Sequence, residues 1–225
     1  MVIDCDMGRK LKNISNLEPG KTYHIYNRSN DRENLFRDYQ DHLVFLEKFD
    51  FYLSNFLDIY CHNLLPNHFH FLIKLRSEEA ITAYLQTQQF KKPFERKYLD
   101  QTIKFDELLE REFTRLFISY SMYYNKKYNR KGNLFYRPFK RLEIEKDSQF
   151  TGTVVYIHVN ALKHKLVKDF TEYPWSSWAE LIGDKATKLA RDYLYDWFGS
   201  RENMINAHRD ISENYYGGES TIEDD

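Results

Sequence analysis

Cysteine is scarce in this chain of 225 residues, and long apolar runs are missing from it. Its two cysteines, Cys5 and Cys61, are too few for the disulfide framework of a small secreted domain. No apolar run reaches the length of about 18 residues that a transmembrane helix needs, and no segment has the pattern of a signal peptide. We therefore expect a protein of a reducing compartment, most simply the cytoplasm, with no membrane partner.

An excess of positive charge is missing as well. Lysine and arginine number 33 against 34 aspartates and glutamates, which gives a formal net charge of −1. A balanced total does not favour a nucleic-acid binder, although the local distribution of charge decides more than the sum. Aromatic residues are abundant instead, at 17% of the chain, and they predict a sizeable core with some rings left to stack on bases.

The apolar periodicity of the first third of the chain predicts a strand, a helix and a hairpin. Residues 21–27 alternate as a strand does, and residues 38–55 repeat apolar side chains at the three- and four-residue spacing of a helix. Residues 57–65 form a second strand, and a turn at Pro66 and Asn67 leads into a third. This order is the opening of a ferredoxin-like α+β domain with an antiparallel sheet.

The rest of the chain is predicted to be mainly helical. We expect long helices over residues 110–128 and from Asp147 to residue 167, and two or three more after residue 184. Residues 76–106 are charged and rich in glutamine. There we expect a short helix over residues 80–89 that Pro93 ends, within a segment that has the composition of a flexible flap.

Two histidines flank one phenylalanine in the third strand, whose sequence is LPNHFHFLI over residues 65–73. Side chains at positions i and i+2 of a strand point to the same face, so His68 and His70 project together while Phe69 points away. Two neighbouring imidazoles are half of a divalent-metal site. The pair alone is equally consistent with two polar residues on the wetter face of a half-buried strand.

A basic segment laced with aromatic residues lies between Glu112 and Glu143, where the sequence has no acidic residue. Basic side chains neutralise phosphates, and exposed rings stack on bases, so this segment is a candidate nucleic-acid surface. The alternative is a solvated helix end whose tyrosines pack inward. The candidate contacts are Lys126, Lys127, Arg130, Lys131, Arg137, Lys140 and Arg141.

A polar pair interrupts the otherwise apolar helix that follows Asp147. Tyr156 and Asn160 stand at positions i and i+4 in the sequence YIHVN, so they are neighbours on one helix face. Such a pair is either a satisfied core pair or a functional site. His158 lies off that face, which favours a packing or surface role.

Several motifs in this order resemble those of the single-tyrosine HUH transposases, in particular the branch of REP-associated tyrosine transposases. The resemblance spans residues 20–180. It is carried by TYHIYNR (22–28), LPNHFHFLI (65–73), GNLFYRPF (132–139), YIHVN (156–160) and YPWSS (173–177).

The resemblance implies a ferredoxin-like or RRM-like antiparallel sheet with helices on one face, in a catalytic domain at residues 21–183. The sequence outside the resemblance predicts a loose N-terminal arm at residues 1–20 and a C-terminal helical extension at residues 184–225, with an acidic, disordered tail. The implied partner is single-stranded or hairpin DNA. Members of this kind occur as monomers and as dimers, so a homodimer is possible.

The resemblance also implies a reaction and assigns residues to it. Tyr156 corresponds to the tyrosine that attacks a DNA phosphodiester and becomes linked to its 5′ phosphate. His68, His70 and Asn160 correspond to the ligands of a Mg²⁺ or Mn²⁺ ion, and nitrogen donors favour Mn²⁺. His24, on the first strand, is a candidate supporting residue or DNA contact.

Two alternatives remain open from the sequence. The chain would be a non-catalytic module that binds hairpin DNA or RNA if the histidine pair were vestigial. It would be a metal hydrolase that uses water if an acidic residue, with Asp58 as the candidate, stood beside the pair.

Overall fold

The computed structural model describes residues 14–30 and 33–216. The strands are β1 (Thr22–Arg28), β2 (Leu57–Leu65), β3 (His68–Leu75) and β4 (Lys140–Glu143). The helices are α1 (Tyr39–Leu53), α2 (Glu78–Thr87), α3 (Pro93–Leu99), α4 (Phe105–Lys127), α5 (Asp147–Lys163), α6 (Trp178–Ile182), α7 (Arg191–Phe198) and α8 (Arg201–Tyr216). A 3₁₀ turn at Phe170–Glu172 joins α5 to α6. The predicted acidic tail beyond residue 216 lies outside the described residues.

The four strands form one antiparallel sheet in the order β2–β3–β1–β4. β2 and β3 are the predicted hairpin. α1 carries the chain from β1 to β2, β3 then pairs between these two strands, and β4 pairs with the free edge of β1. This is the strand order of a ferredoxin-like domain, so the predicted α+β fold class is confirmed.

One face of the sheet carries the main aromatic core, under α1 and α4. Phe69 and Phe71 of β3 are fully buried there, and Phe45 and Phe49 of α1 stack on them. Tyr120 of α4 closes the cluster with its ring edge against Phe45. Burial of each such side chain is worth about 1.5–3 kcal/mol, and these rings fix which residues of β3 face the opposite side.

The other face carries a second helical layer, formed by α5 and the C-terminal helices. Leu72 of β3 packs there with Val155 and Val159 of α5. Leu194 of α7 and Met204 of α8 belong to the same buried cluster. The C-terminal extension is therefore part of a core. The sheet lies between two helical layers, whereas the expectation from the sequence was helices on one face.

The described part of the predicted N-terminal arm, residues 14–20, is packed against the domain. Leu17 is 1% exposed, and its backbone N–H donates to Asp106. Ile14 forms a bridge with Arg141 of β4. Residues 14–20 therefore extend the domain, while residues 1–13 lie outside the described part of the chain.

Residues 76–106 form two ordered helices, and the prediction that Pro93 ends a helix was wrong. Pro93 is the first residue of α3, where its missing N–H costs nothing because the first turn has no intrahelical acceptor. The backbone N–H of Lys92 donates to Glu95, and its ammonium bridges Glu95 and the buried Glu112. These bonds tie the segment to α4 and argue against a flap.

Within the described ranges, no helix combines the length and the apolar character needed to cross a membrane.

Candidate metal and tyrosine site

The histidine pair lies where the alternation of β3 predicts. His68 is half-buried and His70 is 5% exposed, both on the face toward α5. His68 Nδ1 lies 2.7 Å from the Asn67 side-chain oxygen, so this nitrogen carries the proton and donates it. His68 Nε2 is then left with a lone pair that points into the site.

Asn160, a residue of α5, faces this lone pair. Its Oδ1 lies 3.4 Å from His68 Nε2, so in this orientation two electron-pair donors face one another. The Asn160 Nδ2 group is buried and has no hydrogen-bond partner among the described residues. A proton on Nε2 would make this contact a hydrogen bond, and a cation bound to both atoms would equally relieve the repulsion. The second arrangement fits a metal ion held by both side chains.

His70 is held from behind by His24 of β1. His70 Nδ1 lies 2.9 Å from His24 Nε2, and the His70 Nε2 atom is buried without a partner in the described chain. Burial lowers the pKa of His24 to about 4, and burial next to other cationic groups holds the pKa of His70 well below its usual value. Both rings are therefore neutral near pH 7, which is the form that binds metal.

The donor set fits a divalent ion with mixed nitrogen and oxygen ligands. No group of three His, Cys, Asp or Glu side chains that could hold a metal occurs in residues 14–30 and 33–216. Asn160 Oδ1, 3.4 Å from His68 Nε2, is an oxygen donor next to the pair. Two imidazoles with one amide oxygen suit Mn²⁺ better than Mg²⁺.

Tyr156 stands one helical turn before Asn160 and is half-buried beside the histidines. Its ring meets His70 edge to face at 5.6 Å between centroids, and it meets His24 at 6.0 Å. The structure thus brings together the residues that the sequence proposed as nucleophile, ligands and support, from β1, β3 and α5.

Three further residues at this site were not singled out from the sequence. Lys163 places its ammonium 5.5 Å from the Tyr156 ring centroid, and the His164 ring lies 4.9 Å from that of His68. Both follow Asn160 by three and four positions, which is a helical spacing that the sequence already contained. Tyr26 lies 5.6 Å from His70 between ring centroids, a contact that depends on the pairing of β1 with β3.

The other tyrosines near the basic segment lie on the far side of the sheet. Tyr120 and Tyr124 are buried, and their hydroxyls donate to backbone carbonyls of Leu35 and Asn34. Tyr123 and Tyr128 donate to Asp41. Their hydroxyls therefore serve the α1–α4 core, and their positions do not allow them to reach the histidines.

Asp58 does not stand beside the histidine pair. It lies at the end of the hairpin far from the turn, opposite Lys74, and forms an ion pair with Arg76. The metal-hydrolase alternative loses the acidic residue that it required.

The basic segment divides into residues that brace the fold and residues that face solvent. Lys127 binds Asp38 and Asp41, and Arg130 binds Glu33.

Arg141 is only 5% exposed and pairs with Glu110, so burial removes it from the predicted nucleic-acid surface. Lys126, Lys131 and Arg137 are exposed, and Lys140 is half-buried. The surface available for phosphates is smaller than the sequence predicted.

Comparison with known proteins gives a likeness of fold. No protein-family model matches the chain, and no curated protein matches it. A solved structure of a REP-associated tyrosine transposase bound to a REP hairpin is similar, with a TM-score of 0.51 and 16% identity. The match covers 75% of this chain and 82% of that chain. At this level of identity, the likeness shows that the two chains share a fold.

Proposed function

We propose that this protein is a metal-dependent single-strand DNA transposase, or nicking and joining enzyme, with Tyr156 as its nucleophile. The observation that supports the proposal best is the convergence of Tyr156 and Asn160 from α5 with His68 and His70 from β3. A tyrosine beside a set of metal ligands is the arrangement expected for attack of a phenol on a phosphodiester.

His68, His70 and Asn160 would hold a Mg²⁺ or Mn²⁺ ion. When bound there, the ion would neutralise and orient the scissile phosphate. His24 holds the ring of His70 in place through the bond between Nε2 and Nδ1, as carboxylates and carbonyls do for metal-binding histidines elsewhere.

The reaction balances without a further reactant. The Tyr156 hydroxyl oxygen forms a bond to phosphorus, and the bond from phosphorus to the 3′ oxygen breaks. The phenol loses one proton, and the released 3′ oxygen gains one. Attack of a 3′ hydroxyl on the phosphotyrosine reverses these steps and joins the strands. Lys163 contributes a positive charge close to the Tyr156 ring, where an incoming phosphate would lie.

Hairpin DNA with a single-stranded flank is the proposed substrate. The solved structure with the similar fold contains a REP hairpin. The exposed side chains of Lys126, Lys131 and Arg137 supply sites for phosphates on this chain.

The test is incubation of the protein with a labelled DNA hairpin that carries single-stranded flanks, with Mn²⁺ or with chelator. We expect a covalent adduct on a denaturing gel that requires Mn²⁺. Tyr156→Phe removes the adduct and leaves DNA binding largely intact. Tyr39→Phe, a change at a tyrosine that is 67% exposed, is the matched control and keeps the adduct.

An adduct that survives in Tyr156→Phe contradicts the assignment of the nucleophile. Salt-sensitive binding with no adduct, unaffected by chelator, would instead identify a non-catalytic module for hairpin DNA or RNA.

A further inference from the structure

The face of the sheet that carries the histidines continues across β1 to β4. Arg28, the last residue of β1, is the cross-strand partner of His68, and Tyr26 is the partner of His70. On its other side Tyr26 pairs with Lys140 of β4. Because directly opposed residues of an antiparallel pair point to the same face, Arg28, Tyr26 and Lys140 extend the metal-site face sideways.

This part of the face is open to solvent. α5 packs over β2 and β3, where Tyr60, Cys61 and Leu72 are buried beneath it. Leu142 of β4, the cross-strand partner of His24, is in contrast 39% exposed. A strand of nucleic acid that reaches the site beside Tyr156 can therefore continue over β1 and β4.

A cleft of about 460 Å³ lies at the end of this open path, beside Arg28. Its volume falls within the range of roughly 300–1,000 Å³ that is usual for small-molecule sites. None of the described residues that line it is acidic. The side chains that matter most are Arg28, Asn30, Arg130, Lys131 and Tyr136.

Tyr136 lines this cleft, and its backbone and ring both contact Arg28. Its backbone N–H donates to the Arg28 carbonyl at 2.9 Å, and the Arg28 guanidinium lies 5.4 Å from the centre of its ring. The side-chain amide of Asn30 donates to the carbonyls of Asn133 and Phe135. The loop that carries Tyr136 is thus held in place before any ligand binds, which reduces the cost of ordering it.

Arg130 also lines the cleft, and its side chain is held in place. Its guanidinium binds Glu33 and the carbonyls of Gly132 and Asn133. Lys131 and Arg28 are exposed at the rim. A braced ring with basic side chains around it suits one unstacked nucleotide, with its base on the ring and its phosphate at the rim.

We propose that this cleft binds a nucleotide in the single-stranded segment next to the scissile phosphate. The base stacks on Tyr136, and the adjoining phosphate contacts Arg28 and Lys131. The inference rests on the proposed function for its substrate, and it adds a binding site that positions the DNA strand. Arg28, as the strand partner of His68, links the two sites directly.

Binding is measured by fluorescence anisotropy in the Tyr156→Phe background with chelator, so that no reaction interferes. The probes are a labelled DNA hairpin with a single-stranded flank and the same hairpin without it. We expect Tyr136→Ala to weaken binding of the flanked hairpin by about 5- to 150-fold, the range that loss of one base–aromatic stack produces. Tyr136→Phe retains the ring and the affinity, and binding of the blunt hairpin is unchanged.

Arg28→Gln is a second variant, at a residue of β1 and not of the loop that carries Tyr136. We expect it to lower the affinity for the flanked hairpin only. Arg37→Gln is the matched control, because its guanidinium also lies over a tyrosine, 4.4 Å from the Tyr128 ring centre, on the far side of the sheet. We expect Arg37→Gln to leave binding unchanged.

Flanked and blunt hairpins that bind equally well to the parent protein would overturn the inference. So would flank-dependent binding that survives both Tyr136→Ala and Arg28→Gln. Failure of the proposed chemistry has a different signature, because the protein with Tyr156 then forms no adduct while Tyr136→Ala still abolishes the preference for the flank.

Discussion

His158 Nδ1 lies 2.8 Å from His208 Nε2, and both rings are completely buried. His208 Nδ1 faces the Met204 carbonyl at 2.7 Å and must donate to it, so His208 Nε2 accepts and His158 Nδ1 donates. His158 Nε2 then accepts from the Ser177 hydroxyl at 3.0 Å, and that oxygen accepts from the backbone N–H of His62. One chain of hydrogen bonds, with its tautomers fixed, ties α5 to α8 and to β2.

His208→Ala breaks this chain between His158 and the Met204 carbonyl. We expect the free energy of unfolding to fall by about 2–4 kcal/mol, since a buried donor on His158 loses its acceptor and a cavity forms. Urea unfolding of the purified protein measures the change. Arg209→Ala, at the exposed neighbouring residue of α8, is the control and stays within about 0.5 kcal/mol of the parent. Equal losses in the two variants would contradict this account.

The same histidine makes stability depend on pH. Burial lowers the pKa of His208 to about 4, below the value of about 6.5 for an unfolded histidine. The unfolded state therefore binds more protons between these values, and stability falls as the pH drops from 6.5 toward 4. One such histidine contributes up to about 1.4 kcal/mol per pH unit.

Urea unfolding at pH 7.5 and pH 5.0 tests this dependence. We expect His208→Gln to lose less stability over that interval than the parent protein, because one titrating group has been removed. An identical loss would show that His208 does not titrate as described.

Asp41 and Asp38 both bind Lys127, but only Asp41 is buried. Asp41 also accepts bonds from the hydroxyls of Tyr123 and Tyr128, and these partners hold its pKa below the usual value despite burial. We expect Asp41→Ala to lower the free energy of unfolding by about 3–5 kcal/mol, because it leaves the ammonium and hydroxyls without their buried acceptor.

Asp38→Ala is the comparison, since it removes the exposed partner of Lys127 together with the N-cap of α1. Loss of the cap costs about 1 kcal/mol, and an exposed ion pair adds little. A larger effect at Asp38 than at Asp41, measured by urea unfolding, would contradict the difference in burial.

Metal binding can be tested without DNA. Electron paramagnetic resonance of Mn²⁺ titrated into the protein reports free ion directly. We expect His24→Ala to weaken binding by about 10- to 100-fold through loss of support for His70, and His70→Ala to weaken it further. His42→Ala, at a histidine of α1 that stacks on Trp175 away from the site, is the control and changes affinity little.

Bound Mn²⁺ also stabilises the fold if the site is preformed. At a free Mn²⁺ concentration one hundred times its dissociation constant, we expect the free energy of unfolding in urea to rise by about 2.7 kcal/mol. His70→Ala shows no such rise. Parent protein that binds no Mn²⁺ by either measurement would contradict the proposed ligand set.

Local patterns predicted much of the fold. The period-two alternation of β3 placed His68 and His70 on one face, and the spacing of apolar residues located α1. These features depend on neighbours in sequence, so the amino-acid sequence contains them in full.

Features that depend on tertiary contacts were not accessible in this way. Arg141 reads as a surface cation, yet pairing of β4 with β1 buries it against Glu110 of α4. Tyr26 gains its place beside His70 only through the pairing of β1 with β3. Pro93 was misread because a proline breaks the interior of a helix but suits its first turn.

The alternation of β3 also protects the site during folding. A shift of its pairing by one residue would turn Phe69 and Phe71 out of the aromatic core and drive His68 and His70 into it. The shift would remove two phenylalanines from the aromatic core and place two imidazoles among its rings without hydrogen-bond partners, which makes each misaligned pairing strongly unfavourable. The hydrophobic core thus selects the strand register that places His68 and His70 together on the face toward α5.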